Sequence, residues 1–351
     1  MLVEDVGENN LIDILTSVFR DTDGKVSRPY SSQNSDLDLK VGIGDDAAVL
    51  GFSNNTIVFT TDSLVEGVHF DTRTSDWRAI GWKAMAVNMS DIAAMGCVPT
   101  GFTVSLGLRR DIPVNFLKEM YCGMKDACNV FGGTIVGGDT VESDVMFISI
   151  SMFGALENDA KQACEQKIMT RDSAQPGDKV AVTGTFGCAA AGLAVGFKDF
   201  KGTKFEIEDK ILKHLRDAQN LPSPRVTEGV ELLNSGVKAA MDSSDGLVED
   251  LGKICESSEV GIRLRTDWIP VDDFLVKAFP ERWLNLALSG GEDYELILAV
   301  EENKIEKINR KFPGMITVIG EVVENPQRVI LLDQNNNENE INVKSWQHFS
   351  K

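Results

Sequence analysis

Three observations predict an α+β fold in two domains. The chain has 351 residues, more than one ordinary hydrophobic core absorbs. Strand-like runs pair off through short turns and are interrupted by helical stretches, without the strict alternation of a doubly wound sheet. A Pro-Gly turn in "RDSAQPGDKVAVTGT" then restarts a strand–loop–helix pattern. The predicted division is an N-terminal domain over residues 1–157 and a C-terminal domain over 158–351.

The elements follow in order. Leu11, Ile12, Leu15 and Val18–Phe19 fall at helical spacing and predict a helix over 8–20. The polar stretch 21–38 reads as a loop. Strands over 39–50 and 56–62 are joined by the turn "FSNN". Residues 76–95, rich in Ala and Met, predict a long helix capped by Asp76. A strand at 100–108, a helix at 113–130 and strands at 133–137 and 145–155 complete the first half. In the second half "VTGTFGCAAAG" links a strand to a helix. Its Gly184, Gly187 and Gly192 miss the spacing of a dinucleotide fingerprint. Helices over 198–222, 225–236 and 246–257 and strands at 237–241, 261–266 and 294–300 follow.

Composition narrows the function. Apolar residues make up 42% and charged residues 25%, as in an ordinary globular protein. No apolar run reaches the ~20 residues that cross a bilayer, and the acidic N-terminus lacks a signal-peptide n-region. A cytoplasmic protein is expected. The six cysteines form no CxxC pair and read as reduced thiols, and three histidines are too few for a His-rich metal site. Net charge is −19, from 35 Lys and Arg against 54 Asp and Glu. Such a surface repels nucleic acid and anionic lipid, and phosphate ligands would need divalent cations as intermediaries.

The acids are not evenly scattered. "GIGDDAA" (Asp45, Asp46), "TTDSLVEGVHF" (Asp62), "AVNMSDIAAMG" (Asp91), "IVGGDTVES" (Asp139) and "AMDSSDGL" (Asp242, Asp245) share one grammar. Each sets a carboxylate among small residues at the edge of a strand or helix, and "LSGGEDYEL" (Glu292, Asp293) is a weaker sixth case. Small neighbours let a carboxylate and backbone approach a crowded centre. Mg²⁺ is held by a few carboxylates together with phosphate oxygens and water. Any one junction is most simply a turn or an N-cap, as Asp245 would be before Gly246. Their recurrence predicts a multi-metal, polyphosphate-binding site. "GTIVGGDT" has the glycine spacing of a P-loop, but Asp139 stands where that loop needs lysine, so a P-loop is rejected. No lysine or arginine stands beside the Asp45–Asp46 pair, and the metal is expected to supply the positive charge.

Together and in order, these stretches resemble the thiamine-monophosphate kinase family, within the superfamily of aminoimidazole ribonucleotide synthetase-like ATP-binding proteins. The likeness runs from "GENNLIDIL" through "DSLVEGVHF", "KAMAVNMSDIAAMG", "LPSPR", "MDSSDGLVEDL" and "SGGEDYEL" to the terminal "WQHF". It implies transfer of the ATP γ-phosphoryl group to thiamine monophosphate, assisted by several Mg²⁺ ions and without a protein nucleophile. It also implies a homodimer whose N-terminal mixed sheets pair into a barrel, each chain adding a C-terminal α/β sandwich domain. Carried over by position, Asp46, Thr60, Thr61, Asp62, Asp91, Asp139, Asp242 and Asp245 are expected to bind metal. Gly138, Asp139, Arg171, Ser244 and Tyr121 are expected at ATP, and His69, Glu292 and Trp346 at the substrate. From the sequence alone, without the resemblance, Arg171 reads as a solvent-facing arginine at an element's end. Ser243 stands where an apolar residue is common between the acids, and segment 21–38 is longer and more polar than expected.

Two alternatives stay open at this level. Another ATP-dependent enzyme of the superfamily shares the acidic logic. Selenophosphate synthetase is disfavoured because no cysteine precedes Cys97, and the hydrogenase-maturation dehydratase because the chain ends "SWQHFSK". A catalytically silent Mg²⁺-nucleotide-binding dimer would show lost acids, and none is lost.

Overall fold

The computed structural model describes residues 37–41, 45–52, 55–73, 75–157, 168–196 and 207–338. The expected helix over 8–20, Cys164 and Trp346 lie outside the described residues. Two six-stranded sheets carry the fold. The first has the order β1 (Leu37–Val41), β2 (Ala48–Phe52), β3 (Asn55–Val65), β6 (Phe147–Ala155), β4 (Val98–Leu108), β5 (Ile135–Glu142). The second has the order β12 (Val329–Leu332), β9 (Gly261–Arg265), β11 (Thr317–Val323), β7 (Lys179–Val182), β10 (Leu296–Val300), β8 (Ala239–Asp242). Neighbours are antiparallel except β4 with β5 and β12 with β9. Mixed sheets with helices make the chain α+β, as the sequence predicts, and among the described residues the first sheet stays open rather than closing into a barrel.

Two local readings change. The stretch expected as one strand over 39–50 is two antiparallel strands, because Asp45 and Asp46 leave the ladder to turn their carboxylates inward. "GGDT", placed by the sequence at the edge of a strand ending near 137, is the body of β5: Gly137, Gly138 and Asp139 align with Thr103, Val104 and Ser105 of β4, which supplies the ladder. Beyond residue 300 the structure adds a helix at Glu302–Lys311 and strands β11 and β12, none of which the sequence pattern foresees.

Helix α1 (Trp77–Ala94) is the centre of the molecule. Asp76 caps it as expected, its side chain accepting from the amides of Arg78 and Ala79 at 2.8 and 3.2 Å. Fourteen of its 18 residues are buried, so it has no solvent face and sits inside a core, as an all-round buried helix must. One hydrophobic cluster joins α1 residues Met85, Met89 and Ile92 to β6 of the first sheet and to Leu296 and Leu298 of the second. Helix α2 (Val114–Phe131) packs on α1 through reciprocal glycines. A Cβ on Gly81 would lie 1.8 Å from the carbonyl oxygen of Met120, and one on Gly123 would lie 1.8 Å from that of Arg78. No side chain fits between backbones this close.

Gly81→Ala and Gly123→Ala are therefore expected to lower stability by about 1–3 kcal/mol each, the range for overpacking a filled core. Urea denaturation of both variants checks this, and unchanged midpoints would show that the α1–α2 approach is looser than described.

Candidate active site

Helix α1 ends where the two sheets meet, and that end carries the acids. Asp91 lies in its last turn, where the negative pole of the helix disfavours a carboxylate. Thr60, on β3, donates its hydroxyl to Asp91 Oδ2 at 2.5 Å. Asn88, one turn earlier, accepts the Asp62 amide with its Oδ1 at 3.1 Å. Ser90 donates to Asp242 Oδ2 at 2.6 Å, linking α1 to the end of β8. Carboxylate oxygens of Asp46, Asp91 and Asp242 all lie within 4.8 Å of one another. Three acids 45 to 196 residues apart thus converge, two from the first sheet and its helix and one from the second.

The electrostatics of this point are unfavourable without a cation. Burial first, then the charges of Asp62, Asp242 and Asp46, push Asp91 well above the usual carboxylate range. Burial and Asp46 do the same to Asp242. Burial, then Asp245 and Asp46, raise Asp62. Burial and the Asp46 charge lift Asp45 to about 7. The Asp46 side chain is fully buried, and its Oδ2 has no hydrogen-bond partner among the described residues. A buried carboxylate with an oxygen to spare, gathered with two others, is a donor set that fits Mg²⁺, which takes oxygen ligands.

The paired aspartates do have a basic neighbour, contrary to the sequence reading. Arg171, 125 residues on, donates Nη2 to Asp46 Oδ1, its amide donates to Asp45 Oδ2 at 3.2 Å, and its Nε lies 3.8 Å from Asp45 Oδ1. Burial opposes the guanidinium charge, but the charges and hydrogen bonds of the two aspartates outweigh it and raise its pKa. Arg171 is therefore no solvent-facing arginine. Its Nε is itself buried and without a hydrogen-bond partner among the described residues.

A second acidic turn lies alongside. Asp245 pairs with Lys253 Nζ at 2.6 Å and does not cap the helix Leu247–Ser257, which starts after Gly246. Asp250, which the sequence reading passed over, organises the turn. Its Oδ2 accepts from the amides of Asp245 and Gly246 and from the Ser243 hydroxyl, and its Oδ1 from Lys253. The carbonyl of Ser244 accepts the Glu292 amide at 2.8 Å, so "DSSDG" and "GGEDYEL" run side by side. Glu292 and Tyr294 both have positive φ, 69° and 51°, a strained backbone of the kind held in place at functional sites.

Lys83 is the other residue the sequence reading missed. It is 3% exposed on α1, and its Nζ contacts Glu292 Oε1 at 2.7 Å and the His69 carbonyl at 3.3 Å. One buried ammonium thus ties together both described positions expected at the substrate. The His69 ring accepts the Val65 amide through Nδ1 at 3.1 Å, fixing the turn after β3. "LPSPR" and "GGEDYEL" grip each other too. Arg225 donates Nε to Glu295 Oε2 at 2.6 Å and Nη2 to Oε1, while the Pro222 carbonyl accepts from Trp82 Nε1 at 2.7 Å.

Other expected positions stand apart from the cluster. Thr61 alternates to the opposite face of β3, donating to the Ile150 carbonyl at 3.0 Å. Across the sheet Asp62, Ile150, Val104 and Gly138 share one row, and Ser63, Ser149, Ser105 and Asp139 the next. Adjacent rows point to opposite faces, so Asp139 leaves the sheet on the side away from Asp62. Tyr121 is exposed on α2, 38% accessible.

A fold of two mixed sheets, with acids from both converging at one point, defines a class. Residues 44–156 match the N-terminal domain and residues 175–333 the C-terminal domain of AIR synthase related protein. Over 327 residues the chain is 34% identical to thiamine-monophosphate kinase of Bacillus subtilis (strain 168), covering 92% of this chain and 96% of that one. It is 32% identical to the thiamine-monophosphate kinase of Aquifex aeolicus (strain VF5), covering 99% and 100%. A solved structure, AaThiL complexed with AMPPCP and TMP, superposes with a TM-score of 0.81 at 29% identity, covering 99% of each chain. The chain belongs to the thiamine-monophosphate kinase family.

Lys83→Met is expected to cost about 3 kcal/mol, because Glu292 is left with a half-buried, unpaired charge. Lys83→Met/Glu292→Gln should recover at least about 1 kcal/mol of the summed single losses. Strictly additive losses in denaturant titrations would mean that the two side chains are energetically independent.

Proposed function

We propose that the chain transfers the γ-phosphoryl group of ATP to the phosphate of thiamine monophosphate, giving thiamine diphosphate and ADP. The observation that carries this reading is the meeting of Asp46, Asp91 and Asp242 at one buried point between the two sheets. The similar AaThiL structure holds AMPPCP and TMP, an ATP analogue beside a phosphate-bearing acceptor, which supports the same pair of ligands here.

Asp46, Asp91 and Asp242 would hold Mg²⁺, with Thr60, Asp62 and Asp245 as further positions of this reading, while Thr61 and Asp139, on the opposite face of their sheet, would serve a separate ion. Bound magnesium would neutralise the repulsion between two phosphate anions. The rest of the work falls to the chain itself. Arg171 Nε, buried and without a partner among the described residues, has a hydrogen to offer a phosphate oxygen of ATP. Ser244, Gly138 and Tyr121 complete the ATP positions, and His69, Glu292 and Trp346 the substrate positions. Lys83 sets Glu292 and the His69 turn at a fixed separation, so the acceptor is oriented before reaction. The attacking group is a phosphate oxygen, already anionic, so no side-chain base or nucleophile is required.

The division at 157/158 is part of this reading, each lobe contributing acids. So is a homodimer with two N-terminal sheets joined into a barrel. The exposed Val136 and Val141 on edge strand β5 and the exposed Phe153 support such a contact. Cytoplasmic residence agrees with the free thiols Cys97, Cys122, Cys128, Cys188 and Cys255. Among the described residues no helix is long and apolar enough to cross a membrane.

Purified protein given Mg²⁺, ATP and thiamine monophosphate is expected to form thiamine diphosphate, while free thiamine gives no product. Asp91→Asn and Asp242→Asn should each lower kcat by at least about 100-fold with the circular-dichroism spectrum unchanged, the scale of losing one preorganised electrostatic contact. Absence of thiamine diphosphate with the wild type, or wild-type rates in both variants, would overturn the proposal.

A further inference from the structure

We propose a second metal site in the C-terminal lobe, formed by Cys188, His214 and Asp272 and taking one borderline-soft transition-metal ion of the Zn²⁺ class. The three residues come from three helices: Cys188 opens α3 (Cys188–Gly196), His214 lies in α4 (Asp209–Asn220), and Asp272 precedes α7 (Asp273–Ala278). One sulfur, one imidazole nitrogen and one carboxylate oxygen lie within 4.8 Å of one another. Three different donor types gathered from segments up to 84 residues apart do not follow from local sequence.

One edge of the site matches a tetrahedral ion. His214 Nε2 and Asp272 Oδ2 are 3.2 Å apart. Two ligands bonded at about 2.0 Å in a tetrahedron stand about 3.3 Å apart, so this edge is already set. The supporting contacts hold each donor in place. Asp272 spends Oδ1 on capping the amide of Phe274 at 2.7 Å, which leaves Oδ2 turned to His214. The Phe274 ring meets the imidazole edge-on, centroids 5.0 Å apart, and fixes its plane. Cys188 is buried in a small cluster with Leu215, Leu275 and Phe279, separate from the main core. Positioning of this kind, from groups beyond the ligands, is what orients a metal's ligands.

Donor chemistry separates this site from the first. Asp46, Asp91 and Asp242 offer oxygen only and suit Mg²⁺, whereas a thiolate and an imidazole select Zn²⁺ or Co²⁺. Among the described residues these are the two groups of metal-ligating side chains that converge. On binding, the Cys188 thiol releases its proton to solvent as the sulfur–metal bond forms, the imidazole stays neutral, and nothing is oxidised or reduced. Three protein ligands leave a fourth position for water. The ion would pin α3, α4 and α7 together. It would also brace the start of α3, where the amides of Gly187 and Ala189 donate to Asp293 at 2.7 and 3.2 Å, next to Glu292.

The test titrates metal-free protein with Co²⁺ in the presence of excess Mg²⁺, so that oxygen-only sites are filled. One equivalent of Co²⁺ is expected to give visible ligand-field bands and a near-ultraviolet thiolate-to-cobalt band, both abolished by one equivalent of Zn²⁺. Cys188→Ser should lose the thiolate band, and His214→Gln should weaken Co²⁺ binding by more than about tenfold. Both variants should keep the wild-type rate with Mg-ATP, which shows that they fold. A wild type without the thiolate band, a band that survives Cys188→Ser, or unchanged affinity in His214→Gln would each overturn the proposal. The titration needs no catalysis, so its outcome is independent of the kinase reading.

Discussion

Repulsion between buried carboxylates is the constraint around which the molecule is arranged. Two unit charges at 4.8 Å, the outer limit of separation among Asp46, Asp91 and Asp242, repel by about 3.5 kcal/mol at an effective dielectric of about 20. Three such pairs are comparable with the whole stability of a typical domain. Without a cation the protein relieves the strain in two ways. The acids hold protons at higher pH than usual, as the raised Asp91 and Asp242 show. Fixed donors also take up part of the charge: the Thr60 and Ser90 hydroxyls and the Arg171 guanidinium. One oxygen, Asp46 Oδ2, has no hydrogen-bond donor among the described residues.

Holding repelling groups together demands a rigid frame, and α1 is that frame. It is buried all round, touches β3 and β6 as well as α5 (Val226–Asn234) and β8, and carries Lys83, Asn88, Ser90 and Asp91 in its C-terminal part. Each of those side chains reaches a different partner: Glu292, the Asp62 amide, Asp242 and Thr60. Contacts as close as Gly229 to the Ala93 carbonyl, where a Cβ would sit 2.2 Å from oxygen, leave the helix no room to slide. Helix α1 is therefore shared by both sheets, and a shift of it would move all four contacts at once.

Much of this was legible in the sequence, and the boundary of legibility has a physical cause. Helix α1 and its Asp76 cap were readable because helical length, small residues and a capping side chain are local properties. The acidic junctions were readable because small neighbours around a carboxylate recur at fixed places. Partnerships were not. Arg171 sits 125 residues from Asp46, and nothing beside "GIGDD" announces it. Lys83 looks like any polar residue of a helix until the second sheet brings Glu292 against it. Asp250 reads as an ordinary first-turn acid, although it accepts the amides that shape the turn before it. The face of Asp139 depends on the register of β5 with β4, which composition does not encode. Strands β11 and β12 escaped because their ladders close on β7 and β9, far back in the chain.

The sign of the site's charge has a further consequence. A cradle of arginines would attract any polyphosphate at all times, whereas here acids dominate both the whole chain and the buried centre. Arg171, engaged by Asp45 and Asp46, has much of its charge offset before any anion approaches. Affinity for a phosphate ligand must then scale with the cation that accompanies it, and an anion alone meets repulsion. The same feature limits what enters: a ligand without a group able to share a divalent cation gains nothing from the buried acids. On the proposed function, selectivity for a phosphorylated acceptor over its unphosphorylated form would follow from the donor set itself, before any contact with the organic part of the substrate is counted.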